Sequence, residues 1–210
     1  PKDYTLFGIK FINKLHGQYL RRGEDKVVGT SQTVVTWVKV FPPAGNSIGD
    51  FVSETPLINI DDSTVYREDN VVEDDVIDVI TAGRNKVVVE NDVNRPGLTS
   101  DDKIALELTF NDNNEIAITN ADPNSSFNVT GTGRFVEDGD EFGGEKRDVI
   151  YLEYEYEDVG VSTTPVFAGF QVATSTVSLM HTVKDTLVIR NRNIRFEEFT
   201  IDFTETTPVP

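Results

Sequence analysis

The stretch GTGRFVEDGDEFGGEKRDVIYLEYEYED, residues Gly131–Asp158, decides the fold class. In its second half Ile150, Leu152, Tyr154 and Tyr156 alternate with Tyr151, Glu153 and Glu155. Successive side chains of a strand point to opposite faces, so this strand has one apolar face and one wet face. Phe127–Val136 reads as the partner of Val149–Tyr156, and the glycine-rich acidic run between them reads as a hairpin turn.

The same alternation recurs outward from that hairpin. Ile104, Leu106, Leu108 and Phe110 face one way, and Ala105, Glu107 and Thr109 the other. The two inward sets are expected to share one core, because a slip of one residue would expose both. Asn111–Asn114 then turns the chain into Glu115–Thr119. Further strands are expected at Tyr4–Asn13, Gln18–Arg22, Thr33–Phe41, Phe51–Thr55, Leu57–Ile60, Val76–Ile80 and Lys86–Val89. On the C-terminal side they are expected at Phe167–Val172, Thr176–His181, Thr186–Arg190 and Ile194–Phe203. Asp61–Asp75 is the main polar interruption, with one helical turn expected in Asp69–Asp75. Gly17–Gly23 and Gly133–Gly139 echo each other as a short strand between two turn glycines.

About a dozen short strands without helical periodicity indicate an all-β protein with antiparallel meanders. A closed barrel is the expected architecture, since closure removes edge strands; a two-sheet β-sandwich is the alternative. Residues 1–203 are expected to form one antiparallel domain, and 204–210, rich in threonine and proline, a flexible tail.

The net charge is −17 over 210 residues. Such a surface repels phosphate, which argues against nucleic acid and anionic membranes as partners. There are no cysteines, so disulfides, thiolate metal sites and thiol catalysis are excluded. No apolar run has the length of a membrane-spanning helix. Pro1-Lys2-Asp3-Tyr4 already reads as the edge of a strand, as in a domain of a longer precursor.

Several residue sets carry candidate chemistry, each beside a plainer reading. Tyr151 with Glu153 on a wet strand face, and the single tryptophan Trp37, suit stacking and hydrogen bonding to a sugar. They equally suit cross-strand packing, or a place in the core for Trp37. Asp112 and Asn114 in one turn, and Asp138 and Asp140 in another, offer hard oxygens for a metal. No cofactor is expected beyond a calcium ion that these turns would admit, and Asn and Asp are also ordinary turn formers. His16 and His181 would have to meet through the fold to hold zinc. Arg21, Arg22, Arg190, Arg192 and Arg195 are expected to balance carboxylates on neighbouring strands. Glu153 and Glu155 are spaced as a carboxylate pair, but a solvated face explains them, and no Gly-x-Ser-x-Gly elbow occurs. The chain is therefore expected not to be an enzyme.

Phe11–Gly23, Gly131–Val136 with Lys146–Leu152, and Asp185–Arg192 resemble the C-terminal domain of Bacteroidetes surface lipoproteins, adhesin-like proteins or proteins associated with glycan utilisation. That resemblance implies a lipocalin-like barrel and export to the outer membrane surface or periplasm. It also implies a lipid anchor and a partner domain on the N-terminal side. The function it implies is a non-catalytic module binding glycan or a surface protein, with a structural spacer domain as the alternative and a glycan-active enzyme behind both.

Overall fold

The computed structural model describes residues 11–37, 52–96, 102–167 and 171–192. Among these residues are ten strands: β1 (Gly17–Trp37), β2 (Val52–Glu54), β3 (Ile58–Tyr66), β4 (Asp75–Gly83), β5 (Lys86–Asp92), β6 (Lys103–Phe110), β7 (Glu115–Asn120), β8 (Asn128–Phe142), β9 (Glu145–Phe167) and β10 (Gln171–Asn191). One 3-10 turn, Val71–Glu73, lies inside the segment expected to hold a helical turn. Every pairing is antiparallel. From β4 to β10 each strand pairs with the next, and β1 joins β10 to β4, closing an eight-stranded barrel.

The inward sets read from sequence do share one core. Ile104, Leu106, Leu108, Ile150, Leu152, Tyr154 and Tyr156 are buried together with Tyr19, Val79, Val87, Val89, Ile116, Ile118 and Leu187, and Phe110 packs against them partly buried. Side chains fill the barrel from all its walls, so it is a packed core. At one end Leu15 is fully buried, held by Asn13. The Asn13 carboxamide donates to the carbonyls of Gly83 (3.1 Å) and Arg84 (3.0 Å) and accepts from Leu15 N (2.9 Å).

Three strands outrun the barrel. β1, β9 and β10 are 21, 23 and 21 residues long. β1 pairs with β4 only over Gly17–Arg21; past that, β3 takes the same edge over Gly23–Ser31 and β2 over Val34–Thr36. β9 leaves β8 after Glu157 but stays on β10 as far as Phe167. The result is a blade of strand order β9-β10-β1-β3 projecting from one barrel end. Val27, Val177 and Leu179, with Ile60 beside them, form its small apolar cluster.

The blade corrects four readings. Gln18–Arg22 and Thr33 onward belong to one strand, and Gly23 is not a turn glycine. A Cβ there would collide with the Lys184 carbonyl oxygen and lie 2.6 Å from Asp185 Oδ1 and 3.0 Å from the Tyr66 hydroxyl, so only glycine fits. Thr176–His181 and Thr186–Arg190 are likewise one strand. The expected interruption at Asp61 is the middle of β3, which is wet on nearly every residue and shows no alternation to read. Away from the blade, the hairpin of Gly131–Asp158 does turn within its glycine-rich acidic run, at Gly143–Gly144 (φ +63° and +77°), but the turn is tighter than expected because β8 continues through a bulge between Val136 and Asp140. The calls on Tyr4–Lys10, Ile194–Phe203 and the 204–210 tail lie outside the described residues.

Candidate ligand-binding surface

The outer wall of the barrel is built by the outward half of each alternation. In register across β6, β7, β8, β9 and β10 lie Thr109, Ala117, Thr132, Glu153 and Lys184. The next row holds Glu115, Arg134, Tyr151 and Thr186. Tyr151 and Glu153 are thus neighbours on the outer wall, as their spacing requires. Tyr151 is half-buried, and the Arg134 guanidinium lies 4.9 Å from its ring centre. Glu153 is exposed, 3.8 Å from Lys184 Nζ. A sugar stacking on Tyr151 would have to share or displace Arg134. Trp37 ends β1 opposite Gln171, far out on the blade; its side chain lies outside the described residues.

Beside this row the wall sinks into an open depression of about 1100 Å³. Its floor is Thr109, Ala117, Thr132 and Gly133, and its rim is the β4–β5 turn (Arg84, Asn85) and the β6–β7 turn (Asn111, Asp112, Glu115). Short side chains on three adjacent strands make the hollow, and the two turns rise above it. Local hydrogen bonds hold the rim. Asn111 Oδ1 accepts from the backbone N–H of Asn113 (2.9 Å) and Glu115 (3.0 Å). Asn114 adopts φ +62°, which asparagine tolerates, and its Oδ1 accepts from Lys14 Nζ at 2.5 Å. The Lys14 ammonium also sits 5.3 Å and 5.0 Å from the rings of Phe110 and Phe135.

The candidate metal residues fall into these turns and into the β8 bulge. Asp112 is exposed and Asn114 is engaged by Lys14. Asp138 has φ +52°, and its N–H donates to Asp148 Oδ1 at 3.2 Å; Asp140 Oδ1 accepts from Glu141 N at 2.8 Å. Among the described residues no three His, Asp or Glu side chains converge as a metal site would need. His16 and His181 do not meet. His16 Nδ1 accepts from Thr81 N (3.2 Å) beside Gly17, whereas His181 pairs with Val27, ten residues and about 33 Å further along β1.

Sequence reasoning missed a buried polar plug where barrel meets blade. Asp185, 2% exposed, accepts from Arg21 Nε (3.2 Å), from the Tyr66 hydroxyl and from the Tyr154 hydroxyl (3.2 Å). Arg21 Nη2 donates to the Tyr66 hydroxyl (2.9 Å), and Asn91 Nδ2 to that of Tyr154 (3.0 Å). His181, fully buried, sets Nδ1 3.0 Å from Asp25 Oδ2 and stacks on Tyr156 at 4.2 Å. Arg95, from the β5–β6 connection, grips Asp158 with Nε (2.5 Å) and Nη2 (2.7 Å) and also bonds Asp102. Burial first, then the Asp185 charge, pushes the hydroxyls of Tyr66 and Tyr154 well above the ordinary tyrosine range. For Tyr156 the causes are burial and then Asp25. For Arg21 burial is the largest single influence and pulls downward, but Asp185, Tyr154 and Tyr66 together outweigh it and hold the guanidinium charged. The one legible signal was the arginines: Arg21 with Asp185, Arg22 with Asp74 (2.6 Å) and Arg192 with Asp148 do balance carboxylates across strands. The carboxylates were harder to read: Asp158 and Asp185 keep the inward phase of Tyr156 and of Val183 and Leu187, but a charged residue at such a position reads as the end of a strand. The acidic residues at its centre, Asp25, Asp158 and Asp185, are buried, which sets them apart from the exposed carboxylates of the outer wall.

Comparison with known proteins agrees with this architecture. The family model of DUF5627, a domain of unknown function, matches residues 45–193, well over half of the chain, which therefore belongs to that family. A solved protein of unknown function from Bacteroides ovatus superposes with a TM-score of 0.60 at 22% identity, over 89% of this chain and 45% of that one. A multidomain protein including DUF1735, also from Bacteroides ovatus, aligns at 16% identity over 83% and 51% of the two chains, with a TM-score of 0.31. An auxiliary nutrient binding protein from Bacteroides thetaiotaomicron aligns at 16% identity over 85% and 46%, with a TM-score of 0.34. The first shares the fold; the other two superpose too loosely to bear on it. The chain spans about half the length of these solved proteins. No curated protein matches it.

Proposed function

From its place in DUF5627, we propose that this domain is a non-catalytic binding module that takes oligosaccharide on the outside of its barrel. The observation that carries this reading is the depression over β6–β8. The barrel interior is filled, so a ligand has to bind outside, and the hollow mixes hydroxyls, carboxamides and carboxylates with the apolar surfaces of Phe110, Ile116 and Ala117, as a sugar with polar edges and an apolar face requires. A polyhydroxylated ligand suits such a lining better than an apolar one. Tyr151 and Glu153 extend the same wall. A non-catalytic role is supported by where the carboxylates are. Asp25, Asp74, Asp158 and Asp185 are buried in ion pairs or hydrogen bonds inside the wall, while Asp112 and Glu115 on the rim are exposed. The resemblance to Bacteroidetes surface lipoproteins supports display outside the cell, behind a partner domain and a lipid anchor.

One half-covered tyrosine and a shallow hollow bind a single sugar weakly, at about millimolar Kd, so useful affinity comes from several copies on one surface. Amide NMR titration with oligosaccharides from mucins and plant polysaccharides tests the reading. Shifts at Thr109, Ala117 and Thr132, lost when Ala117→Arg fills the hollow without lowering the melting temperature, are the expected result. No shift with any oligosaccharide would leave the structural spacer reading, which the projecting blade favours.

A further inference from the structure

The wall next to the depression differs from it in chemistry. β4 and β5 turn Val76, Ile80, Ala82 and Val88 outward, with Ile80 opposite Val88. Val76 is 45% and Ile80 55% exposed, in a shallow hollow of about 490 Å³. Asp78, Glu90 and Asp92 rim it, all exposed. The cation of that lining is Lys103, 4.0 Å from Asp92. Aliphatic side chains alternate with carboxylates along β4 itself: Val76, Asp78, Ile80.

We infer that this face docks an extended protein segment in which every second residue is, in turn, aliphatic and lysine or arginine, so that both kinds point to the same face. The aliphatic groups supply apolar contact that a sugar would not use, and the three carboxylates require a cationic partner. A second copy of this chain is disfavoured, because it would bring a like-charged rim and a net charge of −17 against its own kind. A membrane is disfavoured too, because anionic lipid phosphates meet the same rim. The partner lies along the pleat, its aliphatic side chains over Val76, Ile80 and Val88 and its cations over Asp78, Glu90 and Asp92.

The test uses methyl-labelled protein and three capped heptapeptides. One carries lysine at positions 1 and 5 and isoleucine and valine at positions 3 and 7, with threonine between them; one replaces the lysines by glutamate, and one replaces the aliphatics by serine. The lysine–aliphatic peptide should shift the methyl signals of Val76, Ile80 and Val88. Its affinity should fall several-fold between 50 and 500 mM salt, the range over which the Debye length shrinks from about 14 to about 4 Å. The other two peptides should bind at least tenfold more weakly. Ile80→Ser and Asp78→Lys, both at exposed positions, should each lower affinity at least fivefold while leaving the melting temperature unchanged. Equal binding of the glutamate peptide, shifts confined to other walls, or wild-type affinity in both variants would overturn the inference. So would concentration-dependent shifts of the same methyls without peptide, which would assign the face to a second copy.

Discussion

Barrel and blade share three strands, β1, β9 and β10, yet one encloses a core and the other is nearly all surface. In the barrel, inward residues of β1, β9 and β10 meet the opposite wall, and Tyr19, Ile150 and Leu187 are fully buried. The same faces continue into the blade, where no opposite barrel wall stands among the described residues. There the β5–β6 connection lies over β9 and β3, through Arg95 on Asp158 and Asn94 on Thr64 (2.9 Å). The apolar cluster shrinks to Val27, Val177 and Leu179, while on the outward face of β9 Val159 and Val161 stand 57% and 69% exposed. Alternation by itself does not bury a residue; a second layer does. The polar plug sits where that second layer changes from barrel wall to connection.

The largest expected effect is alkaline. Tyr19, Tyr66, Tyr154 and Tyr156 all have raised folded-state pKa values. Their stabilisation is complete below the unfolded tyrosine pKa near 10, and falls as pH rises from there toward the folded values. Each group removes up to about 1.4 kcal/mol per pH unit, so the protein should unfold cooperatively as its tyrosinates appear at 295 nm. Stepwise tyrosinate absorbance with native circular dichroism would contradict the burial of the plug. Tyr154→Phe should flatten the stability decline.

Next comes the plug's central ion pair. Asp185→Ala leaves Arg21 buried without its partner and should cost about 3–5 kcal/mol by urea unfolding. Replacing Arg21 and Asp185 together by Met and Leu should cost less than Asp185→Ala alone. A double variant as damaged as the single would mean the packing around the pair matters more than its charge.

Core truncations compare the two regions directly. Leu106→Ala or Leu152→Ala should cost about 2–5 kcal/mol, and Leu179→Ala in the blade about 2, because a three-residue cluster under one connection collapses around the gap. Equal costs would show that the blade has as firm a core as the barrel. Arg95→Ala should cost about 1.5 kcal/mol and act locally. Amide exchange should quicken in the blade portions of β9 and β10 and stay unchanged in β6 and β7. The smallest effect belongs to the exposed face: Val161→Ser should change stability by less than about 0.5 kcal/mol.

Much of the barrel was legible, and little of the blade. Alternation at Ile104–Phe110 and Val149–Tyr156 survives because one face of those strands meets the core and the other meets water. β3 has no such contrast, so Asp61 and Asp62 looked like a loop. Gly23 looked like a turn because glycine usually marks one; here it makes room for Asp185, whose approach depends on a strand 162 residues later. Of the candidate ligand residues, Tyr151 and Glu153 were correctly set on an outer face. The Arg134 cover and the hollow at Thr109–Ala117–Thr132 were invisible, since they depend on which strands are neighbours.

The sequence by itself determined the all-β class, the antiparallel pairing and the inward faces, because these follow from a two-residue period and from turn chemistry, both local. Tertiary structure alone decided that β1, β9 and β10 outrun the barrel, that Asp25, Asp158 and Asp185 are internal, and that small side chains on three strands line up as a hollow. Those outcomes depend on register between distant segments, and register is set by the summed fit of whole faces rather than by any one residue.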